Sequence, residues 1–235
     1  MGFNINLGPV LDVDEPSNPA IGVFGRAYGT DPQHIAAYAQ AFIEGFSGAG
    51  ILCAAKHFPG HGRSLNDSHT GAADISATWT EAELEPFTHL INSPHAPPMV
   101  MTGHLRLDPI EPDGQPATVS ASIVTGLLRR RLGYQGVVVT DDLDMGAISH
   151  LMRREEAVVQ ALAAGSDLLV IKNLFGYDPL MPQRAVGWVR KAIAKGRLSK
   201  AQVMAAADRV RAIRRQAGLQ TVMSYECEPA SAIRE

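Results

Sequence analysis

Two stretches of this 235-residue chain concentrate side chains that move protons or attack carbon. The first, KHFPGHGRSLNDSHT, runs from Lys56 to Thr70 and carries His57, His61, His69, Asp67, Lys56 and Arg63 with two glycines. The second, VVVTDDLDM, ends an apolar run with Asp141, Asp142 and Asp144. Asp67 and His69 are separated by one residue, so in an extended loop both side chains point the same way. A carboxylate so placed can bond one imidazole nitrogen, fix the tautomer and raise the basicity of the other nitrogen. Such a histidine can give a proton to a leaving group, provided that a nucleophile or a water works from the other side. Asp141 is the candidate for that role, because a carboxylate at the end of an apolar strand is costly without a partner or a task. Asp142 and Asp144 read more simply as helix-capping or turn residues.

The loop has two other readings. His57, His61, Asp67 and His69 are usable zinc ligands. However, Pro59 and Gly60 separate His57 from His61, so no helix holds them at i, i+4, and no thiolate joins them. A solvated glycine-rich turn is the plainer alternative, and the density of titratable groups argues against it. No metal and no cofactor are expected. The dinucleotide fingerprint is absent too, since PGHG is followed by neither the right glycine nor a helix.

The elements that must position these groups alternate along the chain. Strand-like runs occur at NINLGPVLDV, ILCAAKHF, PMVMTGHLRL, GVVVTDDL and DLLVIK. Each is mostly continuous in apolar residues, the pattern of strands buried on both faces of a parallel sheet. Helical patterns fall between them. One runs from about Asp31 to Phe46 and starts at Asp-Pro. TEAELEPFTHLI has Thr80 and Glu83 at capping-box spacing. SASIVTGLLRRRLG, RREEAVVQALAAG and PQRAVGWVRKAIAKG each end in glycine, and LSKAQVMAAADRVRAIRRQAG is amphipathic with a basic face. Alternation of strand and helix means βαβ units. Polar residues gather at the C-terminal ends of the strands: Asp12, Lys56, His57, His104, Asp141, Asp142 and Lys172. Barrel enzymes draw their sites from that end of several strands, so the expected fold is an α/β barrel, although five strands are visible where a closed one needs eight.

Composition narrows the function. The chain is 46% hydrophobic and 19% charged, which suits a packed domain and not a disordered one. A net charge of −3 gives no electrostatic reason to expect nucleic acid or an acidic membrane as partner. Cys53 and Cys227 are the two cysteines and lie far apart, so no disulfide framework is implied, and Cys53 reads as a small core residue. No run reaches the length of a membrane span and no signal peptide is visible, so a cytoplasmic location is the expectation.

KHFPGHG followed by DSH resembles the β-N-acetylglucosaminidase branch of glycoside hydrolase family 3. The similarity continues through GPVLDV, GRAYGTDP (where the family usually has Arg-Ser-Phe-Gly), MTGHLRL, TDDLDMGAI and AVVQALAAGSDLLVI, from about Asn4 to Gly218. The resemblance implies a (β/α)8 barrel of the TIM type and a retaining exo-β-N-acetylglucosaminidase. Its substrates would be glycosides with terminal N-acetylglucosamine, peptidoglycan fragments among them. Asp141 matches the nucleophile that forms a covalent glycosyl-enzyme. His69 matches the general acid/base and Asp67 its partner, where most retaining glycosidases use a second carboxylic acid. Lys56 and His57 match residues that bind sugar hydroxyls, and Arg26 matches a substrate-binding arginine. The glycines then suit a loop that moves to complete the site. His61 acquires no assigned role.

The departures set further expectations. Family members carry additional strands and an Asp-x-Glu-Gly-Gly motif before the PVLDV strand, and this chain starts after that point. The expected organisation is therefore an N-terminally incomplete barrel over residues 1–218, with residues 219–235 as a tail. A missing front part would have been the place for an export signal. Open sheet edges invite self-association. Tyr28 stands where phenylalanine is usual, and Ala73 where a proline usually follows the loop, a change expected to loosen it. The competing functions are a non-catalytic barrel remnant with weak sugar binding and a metal-dependent barrel hydrolase.

Overall fold

The computed structural model describes residues 2–174 and 176–218, so the expected tail and Cys227 lie outside the described residues. The strands are β1 (Ile5–Asn6), β2 (Leu52–Phe58), β3 (Ala73–Asp74), β4 (Met99–Thr102), β5 (Leu105–Arg106), β6 (Val137–Asp142) and β7 (Leu168–Val170). The α-helices are α1 (Pro32–Gly48), α2 (Glu85–Ile91), α3 (Gly146–Ser149), α4 (Arg154–Ala164), α5 (Met181–Ala194) and α6 (Lys200–Gln216). Ser122–Arg131 is a further helix, wound in the wider π register.

Strands β1, β2, β4, β6 and β7 lie side by side in that order, each neighbour parallel to the next. They are the five runs read from the sequence, and they form an incomplete α/β barrel. Strand number, tilt and shear are tied together in a barrel, and five strands do not satisfy closure. The run PMVMTGHLRL is not one strand. It breaks at Gly103 and His104, and its end, β5, leaves the main sheet to pair with β3. This pairing sets Ala73 opposite Leu105. Contrary to the expected loosening, strand pairing thus anchors the end of the loop where the family has proline.

The continuous apolar runs are explained by cover on both faces. On one face Leu52, Ala54, Met99, Met101, Val137 and Val139 pack under Ile213 and Val210 of α6. On the other, Cys53, Ala55, Val100 and Val138 meet Ile35 of α1, Phe87 of α2 and Ile123 of the π helix. Cys53 is an inert part of this core, its thiol pushed up to about 11 by burial. The period of two then carries Lys56 onto the face of Ala54, and Asp141 onto the face of Val139, at the C-terminal rim.

Helix α1 starts as expected, with Asp31 accepting the Gln33 amide at 2.8 Å and Pro32 in the first turn. Helix α4 closes on Gly165 at φ 117°, a conformation glycine adopts without a side-chain clash. The capping box at Thr80 does not form. Thr80 makes no side-chain cap, and Glu83 lies in a 3₁₀ turn, Glu81–Leu84, with its carboxylate turned inward. Among the described residues no helix is long and apolar enough to cross a membrane.

Asp167 ties the opposite end of the sheet together. Its buried carboxylate meets Arg129 at 2.6 Å, Arg209 at 2.7 Å and the Val138 amide at 2.8 Å. It therefore links the π helix, α6 and β6. Removing one partner of a buried pair strands the others, so Asp167→Ala is expected to lower unfolding stability by roughly 3–5 kcal/mol, measured by urea denaturation. The free edge of β1 carries exposed Phe3, Ile5 and Leu7. The chain is expected to self-associate there in a concentration-dependent way. Light scattering that finds a monomer at every concentration removes that expectation.

Candidate active site

The site is organised by one carboxylate. Asp12 is fully buried at the end of the first strand segment, where Val10 bridges Lys56 of β2. Its Oδ1 accepts the amides of His57 at 3.1 Å and His61 at 2.7 Å, and its Oδ2 accepts His57 Nδ1–H at 2.7 Å. Burial opposes its charge, but the neighbouring His57 and His61 outweigh burial and hold the Asp12 carboxyl below its ordinary value. His57 then presents Nε2 toward Arg26, whose Nη2 is 3.5 Å away and whose Nη1 is fixed by the Ala20 carbonyl at 2.8 Å.

Asp141 and Lys56 belong to the same constellation. Burial disfavours the Asp141 carboxylate, yet His57, His104, the Asp142 amide and Lys56 prevail and lower its pKa. The Asp142 amide donates to Asp141 Oδ1 at 2.8 Å. The Lys56 ammonium is lowered from its ordinary value by burial and by Arg26, with Asp141 and Asp12 acting against both. An ionised carboxylate at the strand end is thus held beside a cationic group and two imidazoles. His104 lies beneath it and does not face open solvent. It is fully buried, its Nε2–H donating to the Asp142 carbonyl at 2.8 Å and its Nδ1 lying 2.8 Å from Thr118 Oγ1. Burial lowers its pKa, so it stays neutral and positions the backbone of the β6 end.

The sequence suggested a cap or turn role for the next two aspartates, and their contacts are of that kind. Asp142 Oδ1 accepts the amides of Asp144 and Lys172 at 3.1 and 2.8 Å. Asp144 accepts Arg154 Nε at 2.6 Å and the Asn173 amide at 2.8 Å. Together they bind the loop after β6 to the loop after β7.

The Lys56–Thr70 stretch leaves β2 and folds back over this loop. Asp67 and His69 are paired, with Oδ1 to Nδ1 at 2.6 Å. The geometry differs from the extended alternation read from the sequence: Asp67 Oδ1 also accepts the His69 amide at 2.9 Å and the Asp67 carbonyl accepts the Thr70 amide at 3.1 Å, so a turn brings the two together. This Asx-type arrangement is one that aspartate favours. The Asp67 carboxyl is lowered, the bonds from the His69 amide and ring prevailing over partial burial. The His69 side chain is 61% exposed, with Nδ1 taken up by Asp67.

His61, without a role in the sequence reading, is the loop's internal support. It is buried, and burial lowers it to about 4, so the ring is neutral. Its Nδ1 lies 2.8 Å from Ser64 Oγ, which donates onward to the Asn66 carbonyl, and its Nε2 lies 3.0 Å from Ser68 Oγ. Asn18 adds bonds to the carbonyls of His61 and Ser64, both at 2.9 Å. The loop docks through the Gly146 amide on the His69 carbonyl at 3.2 Å and the Ala147 amide on the Ser68 carbonyl at 3.3 Å. A Cβ at Gly146 would stand 2.9 Å from the His69 carbonyl, so this approach requires glycine. Nothing in the sequence signals that contact beyond the glycine itself.

Arg26, Lys56, His57, Asp12 and Asp141 are therefore gathered at one end of the sheet. Asp67 and His69 stand above the β6 loop, where His69, Thr70, Asp142, Asp144, Arg153 and Lys172 line a cavity of about 880 Å³. His57 and His69 each meet a carboxylate through Nδ1, and His61 meets two serine hydroxyls. Among the described residues no group of three or more histidine, cysteine or acidic side chains is placed to hold a metal ion.

Comparisons with known proteins agree with this architecture. Residues 1–213 match the model of the glycosyl hydrolase family 3 N terminal domain. Beta-hexosaminidase LpqI of Mycobacterium tuberculosis is 40% identical over 177 residues, covering 72% of this chain and 44% of that protein. Beta-hexosaminidase A of Pseudoalteromonas piscicida is 36% identical over 185 residues, covering 73% of this chain and 30% of that one. A solved family 3 β-N-acetylglucosaminidase from Paenibacillus sp. str. FPU-7 superposes with a TM-score of 0.83 at 34% identity, over 95% of this chain and 42% of that chain. The chain thus spans less than half the length of these relatives. With the family model matched over residues 1–213, the chain belongs to glycosyl hydrolase family 3.

Proposed function

We propose that this chain carries the catalytic groups of a retaining exo-β-N-acetylglucosaminidase. It would release terminal N-acetylglucosamine from glycosides, peptidoglycan fragments among them. The observation that carries the reading is the 2.6 Å Asp67–His69 pair on a loop docked against the segment that follows Asp141. Asp141, ionised by its surroundings, attacks the anomeric carbon while His69 gives its proton to the departing oxygen. The glycosyl-aspartate is then opened by water, with His69 taking the water's proton. Arg26, Lys56 and His57 bind the sugar hydroxyls, and Asp12 fixes the ring of His57. The beta-hexosaminidase relatives support the substrate class.

The nucleophile is tested by substitution and by labelling. Asp141→Ala is expected to lower kcat on the order of a thousandfold or more. A slow fluorinated N-acetylglucosamine analogue should leave its label on Asp141, as read by mass spectrometry. A label on Asp142 sinks the assignment.

The acid is tested by the leaving group. His69→Ala is expected to slow a natural disaccharide by about 10²–10⁴-fold, the usual worth of a positioned acid, and an activated phenyl glycoside far less. Equal losses on both substrates mean that the loop serves binding instead. Asp67→Asn withdraws the charge and should slow the disaccharide alone. Because the folded Asp67 pKa is depressed, the stabilisation from its pair is complete above the unfolded aspartate value and is lost as pH falls through the folded one. Loop protection followed by hydrogen exchange should therefore drop only on the acid side.

A further inference from the structure

The turn from Pro59 to Arg63, at the root of the acid loop, is held between two carboxylates. Asp12 receives the His61 amide from one side. Glu83 closes the other. Its side chain is 1% exposed, and Arg63 Nε stands 3.3 Å from its Oε1. Neither oxygen makes a well-aligned hydrogen bond among the described residues. The packing there is tight: a Cβ at Gly60 would meet Glu83 Oε2 at 2.6 Å, and one at Gly62 would meet the Val13 carbonyl at 1.7 Å. The turn just before the Glu81–Leu84 segment grips the Pro59–Arg63 turn at both ends. Trp79 Nε1–H donates to the Pro59 carbonyl at 2.9 Å and Thr78 Oγ1–H to the Arg63 carbonyl at 2.8 Å. A buried carboxylate at this point is unfavourable unless its charge has a use, and hydrophobic packing alone does not call for one.

We propose that Glu83 is a positioning residue that acts through Arg63 to hold the loop carrying Asp67 and His69 in its docked place. The inference rests on the reading of His69 as the acid. The chain of contact runs from Glu83 to Arg63 and the turn, through His61 to Ser68, and from Ser68 and His69 to the amides of Ala147 and Gly146. The groups that face Glu83 are Arg63 of the turn, and Asp12 with the Val13 amide of the segment after β1. Burial and then Asp12 raise the Glu83 pKa to about 7, against Arg63 and the Val13 amide. Its charge, and with it the pairing to Arg63, is present above that pH and is lost as pH falls through it.

The test uses the present chain and the amides of Gly146 and Ala147 as reporters, since loop carbonyls cover them. In Glu83→Gln at pH 8 their hydrogen exchange should quicken about tenfold, while Val100 and Val138 in the core are unchanged. Arg63→Gln reaches the same pair from its half-exposed side and gives the answer if Glu83→Gln does not fold. The two changes combined should do no more than either alone, as expected of one shared contact. In the full-length enzyme both variants should slow a natural disaccharide about tenfold more than an activated phenyl glycoside. Unchanged exchange at Gly146 and Ala147 in Arg63→Gln, or equal slowing of both substrates, overturns the role of Glu83. If His69→Ala keeps its own leaving-group dependence in that case, the acid assignment stands apart from it. Loss of that dependence overturns both.

Discussion

A charge buried at Asp12 is the constraint on which the rest depends. A carboxylate with no access to water is tolerated only when donors surround it, and Asp12 takes its donors from two positions of one short turn. That demand fixes the path of the chain as it leaves β2. It also orients the ring of His57, which faces Arg26 and helps to keep Asp141 ionised. Substrate-binding side chains and the attacking carboxylate of the proposed mechanism are thus placed by the same buried group.

The loop above is polar for two separate reasons. Some of its side chains face the cavity, as His69 does. Others, His61 with Ser64 and Ser68, replace the hydrogen bonds that a regular element would have supplied to a buried segment. Neutral His61 suits this work because it both donates and accepts in one plane. An imidazolium there would have nothing to give Ser68 Oγ except a second donor. Burial thus separates His61, which supports the loop, from the exposed His69.

The parts visible in the sequence are those governed by repeated or local rules. The strands were legible because each is covered on both faces and so reads as an unbroken apolar run. Asp67 and His69 were legible because two residues so close in sequence meet whatever the loop does, even though a turn and not an extended segment joins them. The contacts that escaped are long-range. His61 to Ser68 and Gly146 to the His69 carbonyl depend on how the loop folds back, which no spacing encodes. Glu83 shows a different failure. At Thr80 its spacing fits a capping box, but the local preference is overridden by a tertiary position beneath Gly60. His104 looked like a strand-end site residue because it follows an apolar run, yet the break at Gly103 turns it beneath the rim.

The neighbouring pair Asp141 and Asp142 makes the site depend on registry along the sheet. Strand β6 places Val137, Val139 and Asp141 on one face, and the alignment of Val137 with Met99 and of Val139 with Met101 fixes that choice. A slip of one residue would exchange the faces of the two aspartates. The carboxylate now consumed by the amides of Asp144 and Lys172 would then look into the site, and the other would be asked to tie the loops. Both positions carry the same residue type, so composition does not distinguish them. The apolar side chains of β6 thereby select which of two chemically identical groups takes the place of the proposed nucleophile.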